Sequence, residues 1–95
     1  MREQIVKIIH EAVQEVVQHS ELIEKYNHEK NSFEILGNLD SLDLVSLIVD
    51  IESKIQDEFD IHIIISADRA MSERGPFSTI ESLSYFVLAL INENK

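Results

Sequence analysis

The chain has 95 residues and no cysteine, and its 18 acidic against 8 basic residues give a formal net charge of −10. This length suits one hydrophobic core, hence a single domain over 1–95, and without cysteine there is no disulfide, thiolate metal site or cysteine nucleophile. The negative charge opposes binding to nucleic acid, and neither a signal peptide nor a bilayer-spanning apolar run is visible, so we expect a monomeric cytoplasmic protein, not inserted in a membrane, whose partners are basic.

The first part of the chain predicts a long helix from about Glu3 to His19, because its apolar residues recur at three- and four-residue steps. Ser20 is placed to cap a short further helical stretch through Tyr26. The polar segment from Asn27 to Leu39 predicts a connecting loop, with three apolar side chains that pin it to the core: Phe33, Ile35 and Leu36. The apolar face of the first helix consists of Ile5, Ile8, Ile9, Ala12, Val13, Val16 and Val17.

A second long helix is predicted from Ser41 to about Phe59, and it carries two apolar stripes. The expected core face is formed by Leu44, Leu47, Ile48, Ile51 and Ile55. The second stripe, Leu42, Val45 and Val49, lies roughly 140° away around the helix, and we call it the docking stripe. Because the same helix is acidic, an exposed apolar stripe favours a protein-binding surface, the alternative being that the loop or another helix covers it.

The remainder of the chain predicts an extended connector, a short helix and a last long helix. We interpret Asp60 to Ser66 as a connector, because a lone strand in a helical chain has no hydrogen-bonding partner, and the short helix lies around Asp68 to Glu73. The pattern Ser78-x-x-Glu81 predicts a capping box. It opens a helix whose inward residues are Ile80, Leu83, Phe86, Val87, Leu90 and Ile91. The expected fold class is therefore all-α, with three longer helices and one short helix.

Ser41 is the candidate functional residue, because it lies at the predicted beginning of an acidic helix. The unpaired N–H groups and positive dipole end of a helix N-terminus favour a phosphate attached there. Catalysis by the serine itself is disfavoured, since no histidine lies near it in sequence to act as a base. The structural alternative is that Ser41 is only an N-cap. The histidines, His10, His19, His28 and His62, lack metal-ligand spacing, so no metal site is expected.

The sequence around Ser41 resembles the acyl carrier protein family. The matching residues are Leu36-Gly37, Asp40-Ser41-Leu42-Asp43, Val45, Leu47, Glu58-Phe59 and Ser78-Thr79-Ile80, and the likeness depends on their placement between helices more than on the short motif. The resemblance implies an acyl-carrier-like four-helix bundle that is not an enzyme. It also implies a covalent 4'-phosphopantetheine cofactor on Ser41, transferred from coenzyme A by a phosphopantetheinyl transferase and carrying acyl groups as thioesters.

The resemblance also implies roles for the neighbours of Ser41. Asp40 would contact the transferase or its magnesium ion. The docking stripe, Leu42, Val45 and Val49, would form the apolar part of the partner contact. Three acidic residues, Asp43, Asp50 and Glu52, would meet basic residues on transferases, synthases and acyl-loading ligases, and such attraction mainly speeds encounter. Leu44 and Leu47 would line an interior that shelters the acyl chain in some family members.

Several departures from the common family pattern favour a specialised fatty-acid, lipid or polyketide-type pathway over a housekeeping role. An extra residue separates Gly37 from Asp40, Ser46 replaces a common glutamate, four additional residues precede Phe59, and the stretch before Ser78 is longer. Two other functions stay open: a carrier of aminoacyl groups, as in peptidyl or D-alanyl carriers, and an unmodified helical module that binds a protein through the docking stripe.

Overall fold

A computed structural model describes residues 2–18, 21–27, 30, 33–65 and 78–93. Its helices are α1 (Arg2–Val17), the one-turn α2 (Ile35–Asn38), α3 (Ser41–Phe59) and α4 (Ile80–Glu93), with a 3-10 helix at Glu21–Glu24. Over these ranges there is no β-strand, only an isolated bridge between Glu34 and Thr79. The all-α prediction is confirmed for the described residues, whereas the predicted short helix at Asp68 to Glu73 lies outside them.

The core lies where α1 packs against both α3 and α4. α3 has the predicted bounds, and α1 ends two residues before the predicted His19. The predicted core face of α3 is buried along its whole length, and burying each such side chain contributes about 1.5–3 kcal/mol. The buried apolar residues of the three long helices are Ile5, Ile8, Ile9, Ala12, Val13, Val17, Leu44, Leu47, Ile48, Ile51, Ile55, Ile80, Leu83, Val87 and Ile91.

The connector after α3 begins with a left-handed residue. Asp60 ends the helix with φ 54° and ψ 38°, and its N–H donates to the carbonyl of Gln56; aspartate is one of the few residues that visit this region routinely. Residues 61–65 then run without regular secondary structure, burying Ile63 and Ile65 while Ile64 is exposed. The predicted connector, which places apolar side chains in the core without forming a helix or strand, is confirmed over these residues.

The segment from Asn27 to Leu39 is not wholly a loop, because it contains α2. Phe33 and Ile35 are buried as predicted. The Ile35 N–H donates to the Ser78 carbonyl at 2.9 Å and the Ile80 N–H to the Phe33 carbonyl at 3.3 Å, so this segment is joined to the beginning of α4. A single helical turn is too short to show the periodicity from which a helix is predicted.

The capping box of α4 lies one residue later than predicted. The Ser82 N–H donates to Oγ1 of Thr79 at 3.1 Å, and the Thr79 N–H donates to Oγ of Ser82 at 3.0 Å. These reciprocal bonds satisfy two N–H groups that a helix N-terminus leaves unpaired. The predicted pair, Ser78 and Glu81, has the same three-residue spacing, so the sequence contains two overlapping capping-box patterns. The hydrogen bonds of Thr79 show which of them caps the helix.

Candidate functional site

Asp40 and Ser41 form the beginning of α3. Asp40 is the N-cap in an extended conformation, and its Oδ1 accepts a hydrogen bond from the Asp43 N–H at 2.8 Å. Ser41 is the first helical residue. The alternative in which Ser41 is only an N-cap is therefore wrong, because that position and its hydrogen bond belong to Asp40.

The N-terminus of α3 retains a backbone donor for a negative group. Asp40 uses its side chain for the Asp43 N–H and its carbonyl for the Leu44 N–H, at 2.8 and 2.9 Å. The Leu42 N–H has no acceptor among the described residues. Together with the positive end of the helix dipole, this donor favours a negative group at the end of α3.

The docking stripe is exposed along the first half of α3. Leu42, Val45 and Val49 are 78%, 45% and 58% exposed, whereas Leu44, one residue after Leu42, is 2% exposed. The alternative in which another part of the chain covers the stripe is thus wrong for the described residues. The two apolar faces of α3 therefore differ in exposure, as the helical period predicts. The role of the exposed face in docking stays a prediction.

The three acidic residues predicted to meet partners have different surroundings. Asp43 lies in the first turn of α3, beside the docking stripe. Oε2 of Glu52 accepts a hydrogen bond from the Ile65 N–H at 2.8 Å, which ties the connector to α3. Sequence reasoning missed this bond because the two residues are 13 positions apart, one of them in an irregular segment. Glu52 therefore has a structural role whether or not it meets a partner.

Asp50, the third acid, belongs to a cluster with Glu15 of α1 and Lys54 of α3. Asp50 and Glu15 shift each other's pKa, and Lys54 Nζ lies 3.2 Å from Oε1 of Glu15. Burial, followed by the hydrogen bond and the negative charge of Glu15, raises the pKa of Asp50 to about 6. The hydrogen bond from Asp50, together with Lys54, lowers the pKa of Glu15.

A surface groove of about 670 Å³ lies between α1 and α3 on the side of this cluster. Glu15 and Val16 line it from α1. Its α3 wall consists of Asp43, Val45, Ser46, Val49, Asp50 and Ser53. The groove thus shares Val45 and Val49 with the docking stripe and the Asp50 carboxyl with the cluster, so the ionisation of that carboxyl changes the polarity of the groove wall.

The interior and the remaining polar residues add little to this site. Leu44 and Leu47 are buried, and their role in sheltering an acyl chain stays a prediction. His10 is buried in α1, and its Nδ1 lies 2.7 Å from the hydroxyl of Tyr26, whose pKa burial raises to about 12. Within the ranges described above, no cluster of His, Asp and Glu side chains suits a metal ion.

Two further findings concern membrane-spanning helices and similarity to known proteins. None of the described helices has both the length and the apolar composition that crossing a bilayer requires. No protein-family model, no curated protein and no solved structure matches this chain.

Proposed function

We propose that this protein is an acyl carrier protein that bears a 4'-phosphopantetheine arm on Ser41. One observation carries the proposal: Ser41 is the first residue of the acidic 19-residue helix α3, while its neighbour Asp40 provides the cap. The serine is therefore not needed as the N-cap. The Leu42 N–H, which has no acceptor within the described part of the chain, and the helix dipole fit the negative charge of a phosphodiester at this position.

The modification is a phosphoryl-group transfer from coenzyme A. The Ser41 oxygen forms a bond to the phosphorus that bears pantetheine, the pyrophosphate bond of coenzyme A breaks, and adenosine 3',5'-bisphosphate leaves while the hydroxyl proton passes to a base. A phosphopantetheinyl transferase supplies that base, because an unactivated serine is a poor nucleophile. The arm then contributes a terminal thiol, which this cysteine-free chain lacks. Acyl groups bind that thiol as thioesters, so the protein is a carrier and not an enzyme.

The exposed docking stripe supports recurrent contact with partner enzymes. Its three apolar residues lie on a helix that also bears Asp43, Asp50 and Glu52, in a chain of net charge −10. Basic partner surfaces complement this charge and gain association rate from it, while the small apolar stripe adds limited affinity. Fast, weak contacts suit a carrier that visits a transferase, a loading ligase and synthases in turn.

We further propose the four-helix carrier fold, in which the short helix around Asp68 to Glu73 completes the bundle, and a cytoplasmic location. The departures from the family pattern at Ser46 and before Phe59 support a specialised fatty-acid, lipid or polyketide-type pathway. An aminoacyl carrier is the second possibility within the same chemistry. The exposed stripe by itself also fits an unmodified protein-binding module, which needs no arm.

Intact mass spectrometry tests the carrier proposal. The purified protein is incubated with coenzyme A, magnesium and a broad-specificity phosphopantetheinyl transferase. We expect a mass increase of one arm, which Ser41→Ala abolishes. Ser46→Ala is the matched control, because Ser46 is an exposed serine on the same helix, and it should be modified like the parent.

The outcome separates the candidate functions. If no mass is added with any active transferase, the carrier proposal fails and the unmodified binding module is favoured. If the arm is added, the mass of the thioester on protein purified from its native host distinguishes an acyl from an aminoacyl cargo.

A further inference from the structure

The groove between α1 and α3 continues the row of helix positions that begins at the proposed attachment site. Residues four apart in an α-helix lie on the same side of it, one above the other. The row that starts at position 41 continues through Val45, Val49 and Ser53, and these last three residues line the groove. An arm attached at the head of this row therefore reaches the groove by running along α3 toward its C-terminus.

The length of the arm matches the length of this groove. From the serine oxygen to its sulfur, 4'-phosphopantetheine has about 14 backbone bonds, which extend over about 16 Å at the reach of a polypeptide with as many bonds. At about 1.5 Å per helical residue, Val45 lies about 6 Å, Asp50 about 14 Å and Ser53 about 18 Å along α3 from Ser41. The geminal methyl groups of an extended arm thus reach the level of Val45, its second amide approaches the level of Asp50, and its thiol lies just before Ser53.

Asp50 has an acceptor that the chain itself leaves unsatisfied. Its Oδ2 is buried and has no hydrogen-bond partner among the described residues, and a buried carboxylate oxygen without a donor is unfavourable. The Asp50 side chain also lines the groove, so a small turn of the carboxyl group presents this oxygen to an amide N–H of the arm. The residues present therefore fit the group at the point where the arm carries a donor.

The charges of the groove are compatible with the arm because the arm is negative only at its attached end. The phosphodiester stays at the N-terminus of α3, where the helix dipole favours it. The part that reaches into the groove contains neutral hydroxyl, amide and thiol groups. Glu15 on the opposite wall forms an ion pair with Lys54 at 3.2 Å, which offsets its charge.

We propose that Val45, Val49 and Asp50 hold the resting arm extended in the groove between α1 and α3, with its geminal methyl groups against Val45 and its second amide donating to Asp50. This inference rests on the proposed function, since it requires an arm on Ser41. Weak contacts suffice, because a short tether gives the arm an effective concentration on the order of millimolar. Val45 and Val49 also belong to the docking stripe, so a partner that covers the stripe competes with the arm and releases its thiol.

NMR of the arm-bearing protein, with complete modification verified by intact mass, tests this inference without any partner enzyme. Relative to the unmodified protein, we expect the backbone amides of Val16, Asp50 and Ser53 to shift. We also expect nuclear Overhauser contacts between the geminal methyl groups of the arm and Val45. Val16 is the most informative reporter, because it lies on α1, across the groove from the helix that bears the arm.

A variant of the groove wall separates contact with the arm from effects of its attachment. Val49→Glu places a charge in the middle of the α3 wall and should abolish the arm-dependent shifts of Val16 and Ser53. Val49 is exposed, so this substitution leaves the core intact. Gln56→Glu adds the same charge at an exposed position of α3 beyond the groove lining, and it should leave the shifts in place.

The results distinguish failure of this inference from failure of the proposed function. If the arm is attached but Val16 and Ser53 do not shift, or if the buried Leu44 and Leu47 shift in their place, the inference is overturned and the carrier function stands. Shifts that persist unchanged in Val49→Glu also overturn it, because they then arise without contact in the groove. If mass spectrometry shows that Ser41 accepts no arm, the proposed function fails and this inference fails with it.

Discussion

Asp40 has an observed role as a helix cap and a proposed role in modification, and substitutions can separate the two. As the N-cap of α3 it accepts the Asp43 N–H at 2.8 Å, and as a carboxylate beside Ser41 it is expected to contact the transferase or its magnesium ion. Asp40→Ala removes both. Loss of such a cap lowers the free energy of unfolding by about 1 kcal/mol, which corresponds to a decrease in Tm of about 4–8 °C for a domain of this size.

Asp40→Asn removes only the charge. Asparagine caps helices about as well as aspartate, because its side-chain oxygen accepts the same backbone hydrogen bond. We therefore expect Tm close to that of the parent, but slower transfer of the arm to Ser41 if the carboxylate contacts the transferase or its metal. Thermal unfolding followed by circular dichroism measures the first quantity, and the time course of the mass increase measures the second.

The two variants test the hydrogen bond and the charge of Asp40 separately. An unchanged Tm in Asp40→Ala would refute the claim that this hydrogen bond stabilises α3. Transfer to Asp40→Asn at the parental rate would remove the role of the carboxylate in modification while leaving the cap intact. Slow transfer to Asp40→Ala alone would mean that the order of the helix end, and not its charge, is what the transferase requires.

Two further predictions concern α3. Val45→Arg should slow arm transfer without loss of helicity. Gln56→Arg, which makes the same charge change at another exposed position, should leave the transfer rate unchanged. Equal transfer rates in the two variants would contradict a role of the docking stripe in binding the transferase. Asp50→Asn should raise the free energy of unfolding at neutral pH. The folded-state pKa of Asp50 lies above its usual 3.8, at about 6, so the folded protein retains the proton longer and stability falls as pH rises through this window. The gap between the two pKa values corresponds to a stability change of about 3 kcal/mol at ~1.4 kcal/mol per pH unit. Solvent screening at this partly exposed site reduces that change to about 1 kcal/mol. Urea unfolding of both proteins at neutral and mildly acidic pH measures it, and a neutral or destabilising effect at neutral pH would contradict the argument.

Glu52 shows why a charge reversal is a poor test of docking at that position. Glu52→Lys removes the acceptor of the Ile65 N–H as well as a negative charge, so slower transfer would have two explanations. Glu52→Gln keeps an acceptor oxygen and changes only the charge. This substitution is therefore the appropriate companion to Val45→Arg.

The long helices could be predicted from the sequence because their signal is periodic. The core face and the exposed stripe of α3 follow from about 100° of rotation per residue, and both lie where this period places them. Ser41 could be identified as the first residue of α3 because capping residues and helical periodicity meet at that point.

The features that sequence reasoning missed depend on contacts between distant residues. α2 is one turn long and leaves no periodic signal. The ion pair between Glu15 and Lys54 joins two helices, and the bond between Glu52 and Ile65 involves an irregular segment. Patterns within one helix reveal which face is apolar, but they do not reveal which polar side chains of two packed helices meet.

The bridge between Glu34 and Thr79 has a consequence for the order in which the chain gains structure. It joins the segment that leads into α2 and α3 to the residue that caps α4. Closing so large a separation in sequence costs chain entropy, which is recovered only once α1, α3 and α4 have packed. We therefore expect the amides of Ile35 and Ile80, which bond across this junction, to exchange with solvent as one cooperative unit, although the two helices that begin there are far apart in sequence.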